Sequence, residues 1–597
     1  MQLMMGNAFG TLFHFVWKYG KVLLVVTSII TIFIAIMPVV ILWLSKETIN
    51  EVARLIQHQS ENYNKILFLL LLQFLITMLT SIFMNIQEYL NGKLTNMLEH
   101  ASQSSVIQKV TNVPLFYFDL PDFYNHLERV SNSPGDRLLS PLSKIMEICR
   151  IFITIFGYLL FLLTVHWSLV LLSLLAAAPM FLVQKKYGKK NFALKFALTP
   201  LVRDMEYTRF LLKDRQSAKE IRLFGLSSLL YNRWSSAFLH QLKETLRMLR
   251  KRQRAEIGMD GLTALFYSGA AAIIIWLIRT TPIQIGQFVA IGQAVQGTQG
   301  LTNQLSTLLA KVFEEMLYVN DFFRFLNYSH PEAEKQGRGN VAFSAPLQKG
   351  ITIDNVSFSY VDTTTSVLKN IQLHIEPGEK VAIVGENGSG KSTLVKCLMG
   401  LYPVTKGEIR FDDVSIDQLD PDQLHKNITA IFQDFLKYSY TLRDNIGFGD
   451  VTRLEDMEWM REVAATTGVD AIARGLKEEY ATYLGRYLQE GEDLSGGQWQ
   501  KIALARALFR QSDIIILDEP TAALDPLTEL EVYKLVRDLT ENKTAIFISH
   551  RMAAARMADR IIVMEKGTIT ESGTHKELMA LNGKYAQMYE SQAQWYV

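Results

Sequence analysis

Long stretches without a charged residue fill the first half of the chain, and they limit what it can fold into. A helix needs roughly 20 residues to cross about 30 Å of hydrocarbon. Runs of that kind cover residues 22–44, 66–86, 261–278 and 282–310, and a longer one extends from Ile151 to Val183. The long run is punctuated by His166-Trp167, an aromatic pair suited to headgroup depth, so it reads as a helical hairpin with spans at about 146–165 and 167–184. Six crossings are therefore expected within residues 1–325, and the chain is expected to reside in a lipid membrane. Lys and Arg collect on the cytoplasmic side of such proteins. Here they collect in the connections 87–145 and 184–260, including Lys185, Lys186, Lys189, Lys190 and the cluster Arg247, Arg250, Lys251, Arg252, Arg254. Both termini are then expected in the cytoplasm. The first run is too long for a signal-peptide core and lacks the flanking pattern of one, so no cleaved leader is expected.

The two basic connections keep a helical spacing of apolar positions, as in Tyr207, Phe210, Leu211 and Ile221, Leu223, Phe224. That pattern predicts helices running on beyond the membrane and closed by short turns, one around Pro114–Tyr124 and one around Phe224-Gly225. From about Pro331 the pattern changes to short β-rich runs separated by Gly and Asn and alternating with helices. The expected organisation is a six-helix transmembrane domain over 1–325, a linker over 326–350, and an α/β domain over 351–597. The 61 Lys+Arg and 59 Asp+Glu give a net charge of +2, which provides no electrostatic basis for a nucleic-acid partner. Two cysteines, Cys149 and Cys397, are too few for a disulfide scaffold or a cysteine-based metal cluster.

Chemistry appears first at Gly385, Glu386, Asn387, Gly388, Ser389, Gly390, Lys391, Ser392, Thr393, which follow the apolar run Val381–Val384 and precede a helical pattern. This is a phosphate-binding loop in the strand, loop, helix context it requires. Its glycines let backbone N–H groups approach phosphate oxygens, the helix start adds favourable partial charge, Lys391 reaches the β/γ-phosphates, and the Ser392 hydroxyl suits Mg²⁺. Downstream, Ile514–Leu517 reads as a buried strand that ends in Asp518 and Glu519. Asp518 is positioned to hold Mg²⁺ and Glu519 to polarise an attacking water.

Between these motifs stands Leu494, Ser495, Gly496, Gly497, Gln498. On this pentapeptide the chain resembles the ATP-binding-cassette (ABC) transporters, whose signature it matches without a departure. The resemblance covers the whole chain, in the domain order of the family's exporters (type I ABC exporter-like), and implies ATP and Mg²⁺ as ligands. It assigns Tyr360 as the aromatic on which adenine stacks, a contact worth roughly 1–3 kcal/mol in nucleic-acid systems. It further assigns Gln433 to the loop that senses Mg²⁺ and the attacking water, Asp525 to the loop after the catalytic strand, and His550 to the γ-phosphate. His374 and His425 have no such company and read as structural. The two turns correspond to the family's coupling helices.

The resemblance also implies a second nucleotide-binding domain, because the signature closes over the partner's nucleotide. A chain retaining both halves of a site, Glu519 included, suits a homodimer. Gln498-Trp499-Gln500-Lys501-Ile502-Ala503 is similar to the version in the lanthipeptide and bacteriocin exporter branch, which implies a peptide cargo and a bacterial plasma membrane. In the last run Gln293, Gln296, Gln299 and Asn303 repeat at helical spacing, and an amide-lined path suits peptide groups. A lipid or multidrug exporter of the same fold is the alternative. Glu490-Gly491-Glu492-Asp493, just before the signature, matches the family's usual pattern only loosely.

Overall fold

The computed structural model describes residues 2–57, 63–131, 134–215, 217–278, 284–329, 339–361, 363, 365–486, 491–518, 532–537, 540–549 and 555–593. It divides into two compact units, one made of Met1–Asn112 and Asn125–Tyr328, the other of Val113–Tyr124 and Ser329–Val597.

The first unit is helical: α1 (Gln2–Ile56), α2 (Tyr63–Asn112), α3 (Pro121–Ser131), α4 (Pro134–Val165), α5 (Trp167–Lys213), α6 (Ala218–Leu223), α7 (Ser227–Ile278) and α8 (Ile285–Leu326). Helices α2, α5 and α8 continue well past the ends of their apolar runs and α4 and α7 begin well before theirs, while α1 is kinked at Gly20 (φ −142°, ψ 28°). Among the described residues, α1, α2 and α4 contain windows long and apolar enough to cross a membrane. The long apolar run splits at His166, where the Nδ1 of the imidazole accepts from the Ser168 amide (3.2 Å) and caps α5. Helices approach closely where side chains are missing: a Cβ on Gly157 would stand 2.5 Å from Val39, and one on Gly297 2.5 Å from Tyr158. Leu42, Leu162, Leu169, Ile291 and Val295 form the buried seam of α1, α4, α5 and α8. Outward, α2 exposes Leu67, Phe68, Leu71, Phe74 and Met78, an apolar surface that water would not tolerate and lipid does. The second expected turn is α6 followed by Phe224 and a left-handed Gly225 (φ 63°).

The second unit holds two sheets. Strands β1 (Ile351–Phe358), β2 (Leu368–Ile375), β4 (Lys406–Phe411) and β5 (Val414–Ser415) form an antiparallel sheet in the order β2-β1-β4-β5. Strands β3 (Lys380–Gly385), β6 (Ile428–Ile431), β7 (Ile514–Asp518), β8 (Thr544–Ile548), β9 (Arg560–Glu565) and β10 (Thr568–Gly573) form the main sheet in the order β10-β9-β3-β8-β7-β6. β3 and β7 pair with β8 in parallel, and both are apolar nearly throughout because both faces are covered. A helical lobe with its own core of Leu442, Ile446, Met460, Val463, Trp499, Ile502 and Phe509 carries the signature. The stretch expected as a linker is folded from Val341 onward: Val341 bridges Leu419 and the Phe343 ring lies 5.8 Å from Phe411.

Candidate functional site

In open α/β sheets ligands bind beyond the carboxyl ends of the strands. Here β3 ends at Gly385 and β7 at Asp518, while the register sets Ile548 of β8 beside both Ile383 and Asp518. The phosphate loop, the Asp518 carboxylate and the exit of β8 therefore share one edge.

The loop itself needs glycine. Gly388 (φ 78°) and Gly390 (φ 101°) are left-handed, and a Cβ on Gly385 would stand 2.2 Å from the Met564 carbonyl oxygen of β9. Gly390 begins the helix Lys391–Leu398 without a side-chain cap, so the first-turn N–H groups are left to a ligand. Lys391 is buried with its Nζ donating to the carbonyls of Gly385 and Glu386, each at 2.9 Å. The ammonium is thus fixed inside the loop it serves. Ser392 is exposed beside it and Thr393 is buried. The Glu386 side chain turns outward to Lys584 (2.5 Å), which holds its carboxyl below the usual range. Tyr360 lies half-buried at the loop, its hydroxyl 3.1 Å from the Thr393 hydroxyl.

Gln433 is exposed just after β6, and Asp518 is half-buried at the end of β7. Among the described residues no group of three or more His, Cys, Asp or Glu could hold a metal by itself. Mg²⁺ does not require one, since it binds through one or two protein oxygens plus substrate phosphates. The exposed Ser392 hydroxyl, the Gln433 amide and Asp518 fit that mode. Glu519, Asp525 and His550 lie outside the described residues.

The signature opens the helix Gly496–Phe509. Ser495 Oγ accepts from the Gln498 amide (3.3 Å), and Gln498 Oε1 accepts from the Ser495 amide (2.9 Å). This reciprocal cap uses side chains and holds the turn rigid. Ser495 and Gly496 are exposed, and a Cβ on Gly496 would meet nothing within 4 Å. The capped N-terminus thus presents an open face at Ser495 and Gly496. Trp499, which carries the resemblance to the peptide-exporter branch, is buried in the lobe core. In the departing segment Glu492 Oε1 accepts from the Lys477 amide (3.2 Å), and Arg486 pairs with Asp493 at 3.2 Å. His425 donates to the Met399 carbonyl (3.0 Å) and is structural, as expected.

One network has no counterpart in the motifs. Arg506, on the signature helix, donates from Nε to the Asn445 carbonyl (2.9 Å), from Nη2 to Asn445 Oδ1 (3.1 Å) and from Nη1 to the Leu436 carbonyl (3.2 Å). Its guanidinium also lies 4.7 Å from the Tyr438 ring centre, and burial draws its pKa below the ordinary arginine value. It ties the signature helix to the strand of chain that follows Gln433. The available signal was an arginine set among Trp499, Ile502, Ala503, Ala505 and Phe509, the buried positions of one helix, where a cation requires partners.

The ABC transporter family model matches residues 368–522. Over 95% of its length the chain is 33% identical to the subtilin transport ATP-binding protein SpaT of Bacillus subtilis, covering 90% of that protein. The nisin transport ATP-binding protein NisT of Lactococcus lactis subsp. lactis is 29% identical, over 96% of this chain and 94% of that one. An ATP-dependent lipid A-core flippase of Chromobacterium violaceum is 28% identical over 85% of each chain. Among solved structures, a bacterial Atm1-family ABC exporter with ATP bound superposes with a TM-score of 0.78 at 20% identity, over 96% of this chain and 98% of that one.

Proposed function

The chain belongs to the ATP-binding-cassette transporters, and from that premise we propose that it exports a peptide of the lanthipeptide class. It is a membrane protein with the exporter fold, and its nucleotide-binding unit is an ATPase coupled to transport. The observation that carries the cargo is similarity along nearly the whole chain, membrane half included, to the subtilin and nisin transport proteins. The amide row on α8 supports it: Gln293 and Gln296 are exposed on the single chain and Gln299 is half-buried. The Asn303 side chain lies outside the described residues.

ATP binds with its phosphates in the loop Gly385–Thr393 and its adenine on Tyr360. Lys391, held by two carbonyls, meets the β/γ-phosphates without having to be ordered first, so little conformational freedom is lost on binding. Mg²⁺ neutralises phosphate charge when bound, and Ser392, Gln433 and Asp518 would hold it. Glu519 takes the proton of the attacking water and His550 contacts the γ-phosphate. Leu494, Ser495, Gly496, Gly497 and Gln498 close over the nucleotide of a second copy, and Asp525 belongs to the loop after the catalytic strand. The open face at Gly496 favours that arrangement, since among the described residues nothing lies within 4 Å of a Cβ there. ATP thus favours the closed pair, and loss of the γ-phosphate contacts releases it. In this reading six spans cover about 22–44, 66–86, 146–165, 167–184, 261–278 and 282–310, with both termini in the cytoplasm.

Inside-out vesicles carrying the chain test the cargo. ATP-dependent accumulation of a lanthipeptide precursor is expected, without comparable stimulation of hydrolysis by lipid A or drug-like amphiphiles. The reverse pattern replaces the peptide with a lipid, a reading that the similarity to lipid A-core flippases keeps as the rival.

A further inference from the structure

The segment Val113–Tyr124 groups with the nucleotide-binding unit, although the chain on either side, α2 and the rest of α3, belongs to the helical unit. It is a stiff piece. Leu115–Asp119 forms a 3₁₀ turn closed by Tyr117 N to Pro114 O (3.1 Å) and Leu120 N to Tyr117 O (3.2 Å). Phe116, Tyr117 and Phe123 are buried, and the Tyr117 and Phe123 rings meet edge to face at 5.2 Å.

Tyr402 reaches this piece. Its side chain is 5% exposed and its hydroxyl donates to Asp119 Oδ2 at 2.6 Å. Burial, reinforced by that bond, pushes the phenol pKa well up, so the group stays a neutral donor throughout the physiological range. The other end of the same side chain belongs to an aromatic triad. The rings of Phe358, Tyr360 and Tyr402 meet edge to face at 5.0, 5.7 and 5.6 Å, with every interplanar angle close to 80°. Three mutually perpendicular rings leave no free direction for one to move alone, because interiors are close-packed. Tyr360 is also joined through its hydroxyl to Thr393, in the helix that follows the phosphate loop, and Lys396 of that helix lies 5.7 Å from the Tyr402 ring centre.

Resting on the ATP site assigned above, we propose that Tyr402 is a positioning residue that links occupancy of Tyr360 by adenine to Val113–Tyr124 through its hydrogen bond to Asp119. Stacking of a base on Tyr360 repositions the triad, the Tyr402 hydroxyl carries the shift to Asp119, and the stiff segment delivers it to α2 and α3 through its own covalent ends. Phe358 supplies packing only. The bond is what transmits, and the ring is what feels the nucleotide.

The two groups can be separated chemically. Tyr402→Phe keeps the ring and removes the bond, Asp119→Ala removes the acceptor, and Asp119→Asn keeps an acceptor oxygen. The full chain in nanodiscs is labelled at Cys149, which is exposed on α4 while Cys397 is buried. An environment-sensitive maleimide there reports ATP-driven change in the helical unit with no cargo present, and displacement of a fluorescent nucleotide reports binding. In Tyr402→Phe and Asp119→Ala the ATP-driven shift at saturating ATP is expected to fall about tenfold in equilibrium constant, the scale of one hydrogen bond to a charged group. By linkage nucleotide affinity falls by no more than that same factor, Asp119→Asn retains the parent response, and the double variant is no worse than either single one. An unchanged probe response in Tyr402→Phe overturns the proposal, as does an affinity loss larger than the loss of response, which marks a merely structural role. A parent chain whose probe ignores ATP overturns the relay and the coupled motion together. A failure to accumulate peptide alongside an intact probe response removes only the cargo.

Discussion

Arg506 offers the sharpest test of how the nucleotide-binding unit is held together. Replacing it with Ala removes three donated hydrogen bonds and the contact with Tyr438, and leaves the carbonyl and Oδ1 of the fully buried Asn445 without that donor. At about 1 kcal/mol net per bond and about 1 kcal/mol for the cation–π contact, the loss is about 4 kcal/mol. Relief of the guanidinium's own desolvation, visible as its lowered pKa, returns part of this and leaves about 3 kcal/mol. Lys at the same position keeps the charge but not the fork, so Arg506→Lys is expected to cost about 2 kcal/mol. For a domain of this size 3 kcal/mol corresponds to a fall of about 6–12 °C in the unfolding midpoint.

The comparison that decides the point is Arg474→Ala. Arg474 is paired with Asp470 at 2.5 Å, a shorter contact than any made by Arg506, but its side chain is 77% exposed. An exposed pair one helical turn apart is worth about 0.3–0.5 kcal/mol, so this variant should shift the midpoint by no more than about 1–2 °C. Thermal unfolding of the purified full chain, followed at the transition that nucleotide raises, measures all three. The reasoning is refuted if Arg506→Ala stays within about 2 °C of the parent, or if Arg474→Ala costs as much. Hydrolysis should fall further than nucleotide binding in Arg506→Ala, since the phosphate loop is intact and the signature helix has lost its tether.

Three other outcomes follow from the site. Glu519→Gln should bind ATP with parent affinity, lose at least about 100-fold in turnover and accumulate as a closed dimer on a sizing column; turnover near the parent rate removes its role as base. Gly385→Ala should abolish nucleotide binding and lower the unfolding midpoint, because its Cβ meets the Met564 carbonyl at 2.2 Å, whereas Gly496→Ala should leave the midpoint unchanged and still stop hydrolysis, since a Cβ there meets no described atom within 4 Å and the proposed shared site sets a second copy's nucleotide against it. A fully active Gly496→Ala protein would count against the shared site. Chelating Mg²⁺ should halt hydrolysis and restore it on readdition, with fluorescent-nucleotide binding retained; hydrolysis that persists in excess chelator removes the metal assignment of Ser392, Gln433 and Asp518.

What the sequence made legible and what it hid divide along a physical line. The phosphate loop could be read because its function depends on local spacing: Gly388 and Gly390 must be left-handed, and Lys391 must fall one residue after them to reach back over the loop. The cap at Ser495 was equally local, a Ser and a Gln three residues apart whose side chains satisfy each other's amides. The apolar runs in α1, α2 and α4 contain windows long enough to cross a membrane, while the helix ends, Asn112 for α2 and Leu326 for α8, came from capping and packing that hydropathy does not encode. Residues 341–350 read as a linker because they are short and irregular, yet Phe343 finds Phe411 across the sheet. Arg506 and Tyr402 stayed hidden for the same reason. Their partners, Asn445, Leu436 and Asp119, are remote in sequence, and no periodicity records which remote acceptor a buried donor will find. A buried cation or phenol announces only that it must have a partner. In this chain those unannounced partners join the signature helix to the segment after Gln433 and the adenine-side aromatics to Val113–Tyr124, so the motifs name the parts that touch ATP while long-range polar bonds connect those parts to each other.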